Sequence, residues 1–255
     1  MTTRAFAVGP ASPAVVVEVP SGRLTFSPGE PGTVSVTVSD DDDDRFDISQ
    51  QGATIRVIWN RPRLLGGSPG AVSLVVPPDS DAEVETASAE VVTRVPLGNV
   101  RIKTASGDGR LDPVGELTFS TASGDLSVET SSRGITVKTA SGDVRVGELA
   151  GSSRVNTASG DIRVDRLAGS LSCHTASGDV EIGVFLGGVL QSNTMSGDLR
   201  AGLRPGTDVD LTANTLTGDV DLPRPGPAPA DGDPPRVVIR AASLSGDVTL
   251  RRVQP

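Results

Sequence analysis

The feature that most constrains this chain is a pentapeptide that recurs along more than half of its length. Thr-Ala-Ser-Gly-Asp occurs five times without change, ending at Asp108, Asp125, Asp143, Asp161 and Asp179. Three variants end at Asp198, Asp219 and Asp247, and a degenerate copy ends at Glu90. From Glu90 onward the successive intervals are 18, 17, 18, 18, 18, 19, 21 and 28 residues. Such self-similarity at a nearly fixed period is the signature of a repeat architecture.

The flanks of the pentapeptide repeat as well. An apolar–any–apolar run follows each Asp, as in Val144-Arg145-Val146, and another alternating run precedes each Thr, as in Ile135-Thr136-Val137. Alternation with a period of two over short segments predicts strands with one buried face. A polar turn such as Gly147 to Gly151 separates the two runs. Each unit is therefore predicted to consist, in order, of a strand, a Ser-Gly-Asp bend, a second strand and a glycine-containing turn.

A unit of about 18 residues cannot bury its apolar face alone, so it must stack on its neighbours. Stacking equivalent strands about 4.8 Å apart gives a parallel sheet on each side of a coil. Aromatic residues make up only 2% of the chain and tyrosine is absent, which favours a narrow core of aliphatic side chains. The sequence predicts an all-β fold: a single parallel β-solenoid, or β-helix, of rungs of about 18 residues. We expect it to be right-handed, as parallel crossovers usually are.

A left-handed hexapeptide helix is the competing interpretation, because eighteen is three times six. That fold needs an aliphatic residue every six positions. Counting by sixes from Leu149 gives Val155, Asp161, Leu167, Cys173 and Asp179. The repeated aspartate at every third position disfavours this alternative without removing it.

The regular repeats occupy only part of the chain. Residues 81–255 are predicted to form the regular solenoid, and residues 1–80 are predicted to form irregular first rungs that cap its end. Terminal repeats are commonly atypical because they must protect an open sheet edge. Two low-complexity segments are predicted to be loops, the acidic run from Asp40 to Asp44 and the proline-rich stretch over 223–235. Proline cannot donate to a strand ladder, so it belongs outside one.

Charge and cysteine content exclude several classes of partner. The net charge is −9, and the arginines are dispersed and outnumbered by carboxylates, which disfavours nucleic acid. The first twenty residues lack the pattern of a secretory signal, and no stretch approaches the apolar length of a membrane span. We therefore expect a cytoplasmic protein. The single cysteine, Cys173, allows no intramolecular disulfide.

The repeated units resemble a known family. Ser-Gly-Asp followed by an apolar–any–apolar run, as in Leu126-Ser127-Val128, recurs at 17–19 residues over much of the region from Val15 to Val253. This is similar to the bacterial β-strand-repeat family called "putative adhesin". The resemblance implies a β-solenoid of unsettled biochemical role, with some relatives linked to the cell envelope and its stress responses. It implies no catalytic residues.

The pentapeptide itself has a structural interpretation. Glycine allows positive φ at a sharp bend, aspartate can accept from nearby N–H groups in an Asx-type turn, and Thr and Ser can form hydroxyl ladders at the corners. Stacking would place the aspartates in one column, where like charges at about 4.8 Å repel by about 1 kcal/mol per pair even in water. Three kinds of group could compensate this repulsion: backbone N–H groups, a calcium ion, or the arginine two residues after the aspartate. The candidate arginines are Arg110, Arg145, Arg163 and Arg200.

The remaining reactive side chains predict no catalysis. His174 shares a register with Lys138 and Asn156, a column that should face solvent, and it has no partner for zinc or for general-base chemistry. Cys173 falls in an inward column and should be a core residue. The sequence contains no cofactor motif.

We therefore expect a non-catalytic binding or scaffold protein with an unknown protein or envelope component as partner. The alternatives are a cytoplasmic regulator that docks a partner through its faces, and cation binding along the aspartate column.

Overall fold

The computed structural model describes residues 2–9, 12–38, 45–60, 70–223 and 236–253. Within these ranges the regular structure consists of strands, with no α-helix, which confirms the all-β prediction. None of the described residues therefore forms a helix that could cross a bilayer. The chain divides into two compact units, Met1–Val128 and Glu129–Pro255. The acidic run and all but the first residue of the predicted proline-rich loop lie outside the described residues.

The first unit contains twelve complete described strands and the start of a thirteenth. They are β1 (Thr2–Ala7), β2 (Ala14–Val19), β3 (Arg23–Pro28), β4 (Thr33–Val38), β5 (Phe46–Gln51), β6 (Thr54–Trp59), β7 (Ala71–Val76), β8 (Ser80–Thr86), β9 (Glu90–Thr93), β10 (Leu97–Lys103), β11 (Gly109–Leu111), β12 (Val114–Ser120) and β13 (Leu126–Lys138).

The second unit contains eight further described strands, several of which run through a whole repeat. They are β14 (Val144–Ser159), β15 (Ile162–Ser177), β16 (Val180–Ser196), β17 (Leu199–Leu203), β18 (Asp208–Thr217), β19 (Val220–Asp221), β20 (Arg236–Ser245) and β21 (Val248–Arg252).

Strands of the first unit pair mostly in parallel, but not in chain order. β2 lies between β6 and β8, and β3 lies between β7 and β9, all in parallel. Three strands near the N-terminus depart from this pattern, because β1 pairs antiparallel with β4, β4 with β7, and β5 with β6. Phe46 and Trp59 meet edge to face across the last of these pairs, with ring centroids 4.8 Å apart. The irregular cap over 1–80 stays a prediction.

Strands of the second unit pair in parallel at the repeat interval. Val144 lies opposite Ile162, and Ile162 lies opposite Val180, each 18 residues further along the chain. The final pair of strands breaks the chain order: β20 lies between β16 and β18, and β21 lies between β17 and β19. Stacking in simple chain order, as the sequence suggested, is therefore wrong at this end. Repeats with the same buried columns fit against one another in any order, so their similarity does not determine which rungs become neighbours.

The core is formed by the alternate aliphatic positions that the sequence singled out. Val146, Val164 and Ile182 lie in one column and are at most 2% exposed. Cys173 is fully buried beside Val155, which confirms its assignment to the core. Burial of each such side chain contributes about 1.5–3 kcal/mol before the cost of ordering the chain. These columns fix which side chains of every strand are left to face outward.

Candidate functional site

The glycines of the pentapeptide form a column in which backbones stack without intervening side chains. Gly160 and Gly178 have φ of +140° and +151°, as predicted for the bend. A Cβ on Gly160 would fall on the carbonyl oxygen of Gly142, and a Cβ on Gly178 would fall on that of Gly160. Glycine is therefore required by the close approach of successive rungs as well as by the backbone conformation.

The aspartates form a hydrogen-bonded column. In the second unit, the Oδ1 atom of each aspartate accepts the backbone N–H of the aspartate in the next rung at 2.8–3.0 Å, in the spatial order Asp143, Asp161, Asp179, Asp198, Asp247 and Asp219. The first unit repeats the bond between Asp108 and Asp125 at 3.0 Å. These bonds join residues 17 to 49 positions apart, whereas the Asx-type turn of the sequence prediction would be local. The carboxylates are thus part of the interstrand ladder.

Arginines compensate some of the stacked charge. Arg145 pairs with Asp143 at 2.8 Å, and Arg200 bridges Asp179 at 3.0 Å and Asp198 at 2.6 Å. The hydrogen bond to Asp179 raises the pKa of Arg200. The two other predicted arginines bind different carboxylates. Arg110 pairs with Glu90 at 2.8 Å, and Arg163 pairs with Asp165 at 3.3 Å and Glu181 at 3.0 Å.

The described residues place no metal site on this column. No three of their His, Cys, Asp or Glu side chains converge in a way that could hold an ion. The column arrangement explains this, because each carboxylate points one oxygen at the backbone of the following rung rather than at a common centre. The repeated aspartates are therefore arranged as part of the strand ladder.

Threonines at the start of the pentapeptide bond the corners only in part. The hydroxyl of Thr104 accepts the N–H of Gly107 at 2.8 Å, and the hydroxyl of Thr157 donates to the carbonyl of Ser159 at 3.0 Å, so both bonds are local ones to the backbone rather than rungs of the predicted hydroxyl ladder. Four equivalent hydroxyls in the second unit are buried and make no hydrogen bond among the described residues. They belong to Thr139, Thr175, Thr194 and Ser243.

The same hydroxyl column forms the floor of a groove of about 850 Å³ in the second unit. The groove crosses six rungs, and the five spacings of about 4.8 Å between them make it about 24 Å long. Its floor consists of Thr139, Thr157, Thr175, Thr194, Ser243 and Thr215, and one wall consists of Lys138, Asn156, His174, Asn193, Ala242 and Asn214. Because the four unpaired hydroxyls are covered by other atoms, the surface that a ligand meets is mostly carbon.

Three large apolar side chains form the other wall at one end. Met195, Leu244 and Leu216 lie on the neighbouring rungs β16, β20 and β18, and they are 58%, 51% and 78% exposed. They occupy the second position of the pentapeptide, which is alanine in the five unchanged copies. Apolar side chains exposed side by side in this way are typical of binding surfaces.

The charge of the groove differs from that of the chain. The chain carries −9, yet none of the residues that line the groove is Asp or Glu, and Lys138 lies at one end. Arg154 and Arg240 lie two residues before the polar wall, on the same outward face of their strands. These three cations make no ion pair with the described residues. Their charges are therefore available to an anion.

His174 lies in the polar wall and is exposed, as predicted. Its Nδ1 lies 3.2 Å from Nδ2 of Asn193, and its Nε2 lies 3.3 Å from Oγ of Ser172. Both neighbours are neutral, so this histidine is a hydrogen-bonding wall residue without a charged orienting partner. Cys173, the next residue along the chain, faces the opposite way, and burial raises the pKa of its thiol to about 12.

The sequence prediction missed the groove. The copies Thr-Met-Ser-Gly-Asp and Thr-Leu-Thr-Gly-Asp differ from the consensus, but no functional role was predicted for the difference. The signal was the change from alanine to Met195, Leu216 and Leu244 at one outward position. The signal was available in chain order, because the three positions belong to consecutive repeats, and the exchange of rungs only places Leu244 between the other two.

The fold and repeats define a member of a β-strand-repeat family of unknown function. The family model described as "Toastrack DUF4097" matches residues 14–251, and the chain belongs to this family. This confirms the family resemblance that the sequence indicated. No curated protein matches the chain.

Several solved structures are similar to the chain at low identity. A putative adhesin from Parabacteroides distasonis ATCC 8503 has 15% identity and a TM-score of 0.44, with 99% of this chain and 96% of that chain covered. A putative adhesin from Bacteroides fragilis NCTC 9343 has 10% identity and a TM-score of 0.44, with 97% and 96% covered. A "putative lipid binding protein" from the same P. distasonis strain has 14% identity and a TM-score of 0.41, with 96% of each chain covered.

Proposed function

We propose that this protein is a non-catalytic binding protein built as a β-solenoid, and that its second unit binds an elongated anionic ligand in the groove. The observation that carries the proposal is a carboxylate-free groove, with Lys138 at one end, on a chain of net charge −9. A length of about six rungs suits an extended ligand better than a compact one.

A binding role without catalysis follows from the chemistry of the lining. Catalysis requires a unique set of groups matched in pKa and position. The wall instead repeats neutral amides, and its histidine bonds only neutral side chains among those described. Cys173 is not accessible as a nucleophile, because it is fully buried.

A protein partner is the second candidate, since an acidic peptide would also find Lys138, Arg154 and Arg240 on an outward face without paired carboxylates. An extended acidic segment lying across the rungs would use the solenoid face as a docking surface. The same experiment separates this candidate from a smaller ligand.

Nuclear magnetic resonance titration of the full chain tests the proposal. Three elongated anions serve as probes: dodecyl phosphate, a hyaluronan octasaccharide and a hexaglutamate peptide. We expect at least one to shift the amide signals of the groove strands, and Lys138→Gln to weaken its binding several-fold. Lys103→Gln is the matched control, because Lys103 holds the same register position in the first unit and pairs with Glu85. Absence of shifts in the groove with all three probes would contradict the proposed function.

A further inference from the structure

We infer that the ligand of the groove is a single-chain anionic amphiphile, with its head group at Lys138 and its aliphatic chain along Met195, Leu244 and Leu216. This inference rests on the proposed function and names its ligand class. It follows from the polarity of the groove along its length, which runs from a cationic end on β13 to an apolar end on β18.

The cationic end has the groups that recognise an anionic head. Lys138 lines the groove on its first rung and makes no ion pair among the described residues. Asn156 and His174 follow on the next two rungs, with an amide and an imidazole that can donate to oxygen. A phosphate or carboxylate head would therefore find a charge and neutral donors within three rungs.

The apolar end has the surface that an aliphatic chain needs. The three exposed side chains lie on consecutive rungs in space, so their apolar surface is continuous across β16, β20 and β18. Covering them removes carbon from water, which is favourable by roughly 25 cal/mol per Å². None of the residues that line the groove is Phe, Tyr or Trp, the side chains on which sugars most often stack.

The dimensions agree with one extended chain. The groove is about 24 Å long over six rungs. The hydrocarbon core of a bilayer is about 30 Å thick, so one acyl chain covers about 15 Å. With its head at Lys138, a chain of this length reaches the rung of Met195, about 14 Å away, and approaches that of Leu244, about 19 Å away, and a longer chain extends to Leu216.

The decisive comparison is between two amphiphiles with the same tail and opposite heads. Isothermal titration of the full chain below the micellar concentration would use dodecyl phosphate and dodecyltrimethylammonium. Non-specific attraction to a protein of charge −9 favours the cationic compound. We expect the opposite order, with dodecyl phosphate at least tenfold tighter. In a series from eight to fourteen carbons, affinity should rise about twofold per methylene, roughly half the logarithmic gain of full burial.

Variants that restore the repeat consensus test the tail site. The triple change Met195→Ala, Leu216→Ala and Leu244→Ala returns this position to the residue found in the five unchanged copies, so the fold should be retained. We expect it to weaken dodecyl phosphate at least tenfold and to flatten the dependence on chain length. Leu222→Ala is the matched control, because Leu222 is 53% exposed in the same unit but does not line the groove.

Two results would overturn the inference even if dodecyl phosphate binds the parent protein. One is tighter binding of the cationic amphiphile. The other is loss of dodecyl phosphate binding in Arg240→Gln but not in Lys138→Gln, which would place the head elsewhere. If the hyaluronan or glutamate probe binds the groove while dodecyl phosphate does not, the amphiphile is wrong and the proposed function stands. If none of the probes binds, both fail.

Discussion

The Oδ1 atom of Asp198 accepts the backbone N–H of Asp247 at 2.9 Å, although 49 residues of chain separate the two. The Oδ1 atom of Asp247 in turn accepts the N–H of Asp219 at 2.8 Å. The order of the hydrogen bonds along the aspartate column is therefore the exchanged order of the rungs. The rung of β20, which comes last in the sequence, lies between the rungs of β16 and β18.

The exchanged order predicts an unusual response to truncation. Ending the chain after Pro223 removes β20 and β21, and β20 is the strand that pairs with β18 among those described. We expect the amides of Asp208–Thr217 to exchange with solvent at nearly the rate of an unstructured peptide, measured by hydrogen exchange and mass spectrometry. A chain that ends after Val253 is the control and should keep full protection. Retained protection of β18 in the shorter chain would show that β18 holds its place without β20.

The glycine column predicts a large cost for one added methyl group. Gly160→Ala would place a Cβ against the carbonyl oxygen of Gly142, at a φ of +140°. We expect a loss of about 3 kcal/mol or more in the free energy of unfolding, measured by urea denaturation. Gly187→Ala is the matched control in the same unit, since nothing lies within 4 Å of its added Cβ. Equal stability of the two variants would contradict the close stacking.

The aspartate column predicts a difference between loss of the side chain and loss of its charge. Asp179 accepts the N–H of Asp198 at 2.9 Å and pairs with Arg200 at 3.0 Å. Asp179→Ala removes both acceptors and should cost about 1–2 kcal/mol of stability. Asp179→Asn keeps one acceptor oxygen and relieves charge repulsion, so it should cost less than half as much. A stabilised Ala variant would mean that repulsion outweighs the hydrogen bonds.

Cys173 predicts a dependence of stability on alkaline pH. Burial raises the pKa of its thiol from 9.0 to about 12. Above pH 9 the unfolded chain loses this proton while the folded chain keeps it, so the free energy of unfolding should fall as pH rises. The slope contributed by this one group is up to about 1.4 kcal/mol per pH unit. Denaturation of the parent and Cys173→Ala proteins between pH 8 and pH 10 should show the extra slope only in the parent.

The same burial predicts the chemical reactivity of the thiol. Ellman's reagent at pH 8 should label Cys173 only as fast as the chain unfolds, because the thiol is both inaccessible and protonated. The double variant Cys173→Ala with Ala242→Cys places one thiol on an exposed position of the same unit. It should react within minutes. Equally rapid labelling of the parent would contradict the core position of Cys173.

Much of the local structure could be predicted from the repeats. Alternation in Val144-Arg145-Val146 determines which side chains are buried, because one face of each strand must leave water. The interval of 18 residues determines that Val144 and Ile162 become partners. Positive φ was predicted for the pentapeptide glycines and occurs at Gly160 and Gly178, although Gly107, Gly124 and Gly218 of other copies lack it.

The order of the rungs could not be predicted from the same information. Ile239 of β20 lies between Leu190 of β16 and Leu211 of β18, so its apolar pattern alone does not say which strand becomes its neighbour. The apolar wall of the groove depends on Met195, Leu216 and Leu244 lying on adjacent rungs, and the exchange decides only that Leu244 lies between the other two.

The exchange of rungs also has a consequence for synthesis. A ribosome delivers β18 before β20, at about 5–20 residues per second, so the nascent chain presents β16 and β18 before the strand that joins them exists. During that interval the strand that pairs with β18 in the finished fold is absent. The apolar wall of the groove is consequently the last surface of the second unit to be assembled, and any ligand that binds there is recognised only by a finished chain.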